Sequence, residues 1–253
     1  MSVHILTGRV LPERATINIG QLRFQIVETS DVSQGDLSVE IVHSQVFAKF
    51  TTAGAVANIF TLRNIVESTV RALLDIVGYV HGYGYDADIV QYIPPEEAGT
   101  SSYVFGINIP AIADSCAQAG VSVNDVLAVM AKPNGYYVRQ ALADVREAIK
   151  SPTNTAFFCY RAIESLKNGY GRNHDKPATP DATWEQFRNQ YALSKDAIMQ
   201  IKSFADPIRH GNYADEPTIS DSDRATIFKN TWDVINHYIT GEMDSAPVGT
   251  PGE

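Results

Sequence analysis

Lys132-Pro133-Asn134-Gly135 separates two kinds of sequence. Pro, Asn and Gly side by side favour a turn over any regular element, so a domain boundary is expected here. Upstream, from residue 3 to about 50, apolar and polar positions alternate. Leu22, Phe24 and Ile26 stand against Arg23, Gln25 and Val27, and Leu37, Val39 and Ile41 stand against Ser38 and Glu40. A period of two predicts half-buried antiparallel strands. Pro12-Glu13-Arg14, Gly20 and Gln34-Gly35-Asp36 offer turn residues between them. Leu62, Val66, Thr69, Leu73, Ile76 and Val80 then follow helical spacing on one face, while Arg63, Glu67, Arg71 and Asp75 form a ladder of alternating sign on another. This long helix is expected to pack on the sheet and to close at His81-Gly82-Tyr83-Gly84. Strand-like runs at 88–93 and 103–109, and a helical stretch at 111–130 broken at Gly120, complete an α+β domain over residues 1–132.

Downstream the period changes to that of helices. The first is expected over 139–150, and Ser151-Pro152 offers a cap followed by proline at the first helical position. Cys159, Ile163 and Leu166 make the next apolar stripe, followed by a polar loop at 169–180. Thr183-Trp184-Glu185-Gln186 fits a capping box, with Trp184, Phe187, Tyr191, Ile198 and Ile201 along one face until Asp206-Pro207 stops the helix. A last helix over 221–240 turns Phe228, Thr231, Trp232, Ile235 and Tyr238 inward. The expectation is a helical bundle over 137–241 and a disordered tail over 242–253.

Composition narrows the class. At 44% hydrophobic and 19% charged residues, the 253-residue chain is built to fold in water. The most apolar stretch, 59–80, carries Arg63, Glu67, Arg71 and Asp75 at four-residue steps, which a lipid-facing helix would not tolerate. The N-terminus shows no basic region followed by an apolar core, so no signal peptide is expected. Cys116 and Cys159 stand far apart without His or Cys at metal spacing, which suits two buried thiols in a cytoplasmic protein. The net charge of −9 argues against a broad DNA-binding surface, while leaving room for RNA or a nucleotide at a small local site.

Chemistry gathers at Arg209-His210-Gly211-Asn212, between two amphipathic helices. Metal-independent RNA cleavage needs a base, an acid and a cation on the crowded phosphate. Histidine titrates near neutrality and arginine binds phosphate bidentately, so the pair fits that reaction. The structural alternative is equally concrete: Asp206 caps the turn, Arg209 pairs with a carboxylate, and His210-Gly211 closes the helix. Arg161 and Glu164, one turn apart, either reach such a site or bridge within the bundle. His81-Gly82-Tyr83-Gly84-Tyr85 follows a helix and lacks the phosphate cradle of a helix start. Glu96-Glu97 is a solvated acid pair, and His174-Asp175 lacks further ligands nearby. No cofactor motif and no common hydrolase motif is present.

Cys159-Tyr160-Arg161-Ala162-Ile163-Glu164-Ser165-Leu166, a variable loop, a second long helix and Arg209-His210-Gly211-Asn212 before a final helix resemble the HEPN superfamily in pattern and order over residues 139–240. The resemblance implies a bundle of four or five helices of a kind that commonly forms a homodimer. In active relatives it implies a ribonuclease site at the dimer interface, built from an arginine and a histidine four to six residues later. Only the histidine carries over cleanly, as His210. Positions 203–205 are Ser203, Phe204 and Ala205, and Arg209 adjoins the histidine instead. Two readings follow. One is a non-catalytic dimeric module that senses a nucleotide, an RNA end or a protein. The other is an endoribonuclease using His210, with Arg209 or Arg161 on the phosphate and Asn212 assisting.

Overall fold

The computed structural model describes residues 1–99, 101–106, 120–173, 180–212 and 219–244. The fold is α+β, in two compact units, Met1–Ile107 and Asn108–Glu253. The division falls upstream of the 132–135 loop, which instead links two helices of the second unit.

The first unit contains β1 (Ser2–Leu11), β2 (Ile19–Ile26), β3 (Gly35–Val42), β4 (Gln45–Thr52), α1 (Ile59–His81), β5 (Asp86–Ile93) and β6 (Tyr103–Val104). The strands form one antiparallel sheet in the order β2-β3-β4-β1-β5-β6. Because β1 lies between β4 and β5, Pro12-Glu13-Arg14 is no hairpin turn, and Gly20 and Gly35 sit inside strands. The tight reversal is His43-Ser44 between β3 and β4, with φ of 47° and 64°. Two left-handed residues suit the twist of paired strands. Their strain is offset by the loop after β1: the His43 N–H donates to Asn18 Oδ1 at 2.8 Å and the Ser44 N–H to the Ile17 carbonyl at 2.9 Å.

α1 buries Leu62, Val66, Val70 and Leu74 in one cluster with Leu6, Phe50 and Ile89 of the sheet. Ile76 and Val80, expected inward, are 63% and 68% exposed. At 23 residues α1 runs roughly 35 Å, longer than the roughly 27 Å of an eight-residue strand. The charged ladder also departs from expectation, because Glu67 is buried. Arg71 and Arg63 grip its carboxylate at 2.7 and 3.4 Å, and reach Asp86 and Asp88 at 2.7 and 3.7 Å. Burial raises the Glu67 pKa, with the two guanidiniums pulling it back.

The second unit contains α2 (Val123–Met130), α3 (Tyr136–Lys150), α4 (Thr155–Asn173), α5 (Pro180–Gln190), α6 (Lys195–Arg209) and α7 (Asp221–Asp244). α4 is the central helix: α3, α5, α6 and α7 all pack on it, and Cys159, Ile163 and Leu166 are fully buried as their spacing predicts. Several boundaries differ from expectation. Ser151 ends α3, and α4 starts at Thr155, whose hydroxyl donates to the Ala148 carbonyl at 3.0 Å. α4 then continues through the expected 169–180 loop as far as Asn173. A Cβ on Gly169 would lie 3.0 Å from the Tyr137 Cβ, so this glycine marks the close approach of α3 and α4. α5 starts at Pro180, which places Thr183 inside the helix. α6 runs through Pro207 to Arg209, since a proline in the last turn removes a single backbone bond. α7 continues to Asp244, so residues 242–244 of the expected disordered tail are helical, with Glu242 buried; residues 107–119, including Cys116, and His174, Asp175 and 245–253 lie outside the described residues.

Candidate functional site

The Arg209-His210-Gly211-Asn212 segment closes α6. The His210 N–H donates to the Asp206 carbonyl at 3.0 Å, the Gly211 N–H to Ile208 at 3.1 Å, and the Asn212 N–H to Pro207 at 2.9 Å. Gly211 sits at φ +69°, the left-handed region that ends helices. His210 is exposed to solvent on this cap. Arg209 Nη1 meets Glu164 Oε1 of α4 at 3.4 Å. Arg161 turns the other way along α4: its Nε donates to Asp144 Oδ1 of α3 at 2.9 Å, its Nη2 reaches the same oxygen, and its guanidinium lies 5.0 Å from the Phe158 ring. The hydrogen bond to Asp144 raises the Arg161 pKa. The two arginines are thus engaged by different carboxylates on different helices. No hydrogen bond or ion pair among the described residues joins Arg161 to His210.

A cleft of about 600 Å³ opens between α5 and α6, floored by α4. Tyr160 of α4 stacks on Trp184 of α5, ring centroids 6.2 Å apart and planes 19° apart, and Lys167 Nζ sits 5.1 Å from the Trp184 ring. Burial pushes the Tyr160 phenol up to about 12, reinforced by Glu164 and Asp206 and opposed by Arg209. Burial also lowers the Lys167 pKa. Ile198 and Met199 of α6 face the cleft between Lys195 and Lys202. Lys202 is partly neutralised by Asp206 at 3.5 Å. Arg188, half-buried on α5, and Lys195 have no ion pair among the described residues. Asp181 and Glu185 line the wall of α5 toward its N-terminus.

Sequence reasoning found the residues of the cap and missed those of the cleft. Trp184 was legible as part of an apolar face, but the cleft depends on α5 and α6 diverging after a short connection, and no local spacing encodes that. Among the described residues, no three His, Cys, Asp or Glu side chains converge as a metal site requires. No helix among them is long and apolar enough to cross a membrane. Cys159 is buried as expected, and burial pushes its thiol up to about 12.

Comparison with known families assigns one match to each compact unit. Residues 4–103 match the domain of unknown function DUF8168, N-terminal domain, and residues 123–242 match the DUF8168 C-terminal domain. The two matches follow one another in the family's own order. No curated protein and no solved structure matches the chain.

Proposed function

We propose that the second unit is a HEPN-like, non-catalytic binding module that works as a cytoplasmic homodimer and senses its ligand through the helical bundle. The observation that carries this reading is the pairing of Arg209 with Glu164 and of Arg161 with Asp144. A phosphate arriving at either guanidinium would compete with a carboxylate already paired to it, and Asp144 is itself buried. Cleavage chemistry needs a cation free to stabilise the developing charge, close to the histidine. Here the imidazole is solvent-facing at a helix end, Arg161 is held by the buried Asp144, and Arg209 is paired more loosely with Glu164.

The test is incubation of single-stranded RNA with the protein in EDTA, beside a His210→Ala variant. The module reading expects no cleavage by either protein. Cleavage that disappears in His210→Ala would overturn it and establish a metal-independent endoribonuclease. Sedimentation equilibrium tests the oligomeric part, with a dimer expected and a monomer at micromolar concentration counting against it.

A further inference from the structure

We infer that the cleft between α5 and α6 is a binding site for a single-headed organic anion, a phosphate or carboxylate joined to a flat apolar body. The inference rests on the binding-module reading and names the ligand class that reading leaves open.

Three observations converge on this class. The first is size, since about 600 Å³ lies within the roughly 300–1,000 Å³ of small-molecule sites. The second is the distribution of cations. Arg188 lies two residues before the end of α5 and Lys195 opens α6, so both stand at the end of the cleft where the two helices are joined. Neither has a carboxylate partner among the described residues, in contrast to Arg161 and Arg209. A half-buried guanidinium without a counter-ion favours an incoming anion, because the ligand supplies the charge that the fold withholds. The third is the wall: Trp184, one helical turn before Arg188, together with Ile198 and Met199, offers an apolar surface beside the cationic end.

The acids set the limit on the ligand. Asp181 lies seven residues before Arg188, roughly 10 Å along the helix, and Glu185 lies between them. A chain of phosphates running the length of the cleft would meet these carboxylates. A ligand with one charged head at Arg188 and Lys195 and an uncharged body toward Tyr160 would not. The cleft therefore selects against an extended polyanion such as an RNA strand.

The experiment is calorimetric titration of the full chain with 1-naphthyl phosphate, 1-naphthoate, 1-naphthol and inorganic phosphate. Saturable binding of 1-naphthyl phosphate or 1-naphthoate is expected, with 1-naphthol and inorganic phosphate each weaker by about tenfold or more. Whichever of the two naphthyl acids binds tighter identifies the head as phosphate or carboxylate. Arg188→Gln and Lys195→Gln should each weaken binding about tenfold, while Arg139→Gln, on the exposed side of α3, leaves it unchanged. Lys195 is exposed, so its variant carries the test even where Arg188→Gln disturbs packing. Equal binding by wild type and Lys195→Gln, equal binding of 1-naphthol, or no binding of either acid would overturn the inference. RNA cleavage dependent on His210 would remove the parent reading while leaving these titrations as they stand, so the two failures are distinguishable.

Discussion

Around α1, Arg9, Arg63 and Arg71 each have carboxylates at 2.7 to 3.7 Å, and the network closes over the buried Glu67. Along the α5–α6 cleft, Arg188 and Lys195 have none among the described residues, although the chain as a whole is acidic. The same residue types therefore do different work in the two units. In the first, charge is spent on fastening a helix to β5, and little attraction remains for a ligand. In the second, charge is held in reserve beside an aromatic wall. Partner status, more than the count of arginines and lysines, distinguishes a structural cation from a binding one.

The largest test of this contrast is Glu67→Leu against Arg188→Gln. Removing Glu67 leaves two partly buried guanidiniums short of a partner, and a loss of about 3 kcal/mol in the stability of the first unit is expected from urea denaturation. Arg188→Gln should stay within about 0.5 kcal/mol of the wild type, since it breaks no ion pair. A Glu67→Leu protein as stable as the wild type would erase the distinction between the two units.

An intermediate effect is expected from pH. His4 is buried, its Nδ1 2.8 Å from the Tyr92 hydroxyl and its Nε2 3.1 Å from Ser2 Oγ, and burial lowers its pKa from the ordinary 6.5. The unfolded chain then takes up the proton first as acid is added, so stability present above pH 6.5 is lost as pH falls toward the folded value. Urea midpoints of wild type and His4→Phe, measured from pH 7 to pH 5, should show the wild type losing ground to the variant. Parallel curves would mean that His4 binds its proton equally in both states, with no shift on folding, and would overturn this expectation. Glu67 acts in the opposite sense: its raised pKa makes protonation easier in the fold, and for that reason the comparison is made between proteins and not between pH values alone.

The smallest effect is expected at the cap of α6. Arg209 and Glu164 are 43% and 26% exposed, so water and salt screen their bridge. A double-mutant cycle with Arg209→Gln and Glu164→Gln should return a coupling of about 0.5 kcal/mol. A coupling above about 2 kcal/mol would show that the bridge behaves like the Glu67 network, and the two units would then treat charge alike.

How much of this was legible in the sequence follows from the range of the interactions involved. The Cys159-Ile163-Leu166 stripe, the closure of α1 at Gly82 and the helix-ending geometry of His210-Gly211 are local, and their residues declared them. The strand order was hidden, because the pairing of β1 with β4 and β5 joins segments far apart in the chain. Thr183 looked like a cap because the capping pattern is short, and Pro180 had already started the helix. Arg161 is open as a candidate from its spacing alone, because the Asp144 that holds it lies on the preceding helix, seventeen residues away. Arg188 and Lys195 carry no signal in the sequence, since whether a cation is paired depends on where the fold places every neighbouring carboxylate.

The buried sulfhydryl of α4 also offers a clock. Cys159 is one of two cysteines in the chain, and residues 1–107 contain none. With its thiol held near 12, Cys159 will resist alkylating reagents at neutral pH until the helices around it part. In a Cys116→Ser background, the rate of thiol labelling would then report the opening of the helical unit alone, a quantity that whole-chain denaturation averages with the unfolding of the sheet.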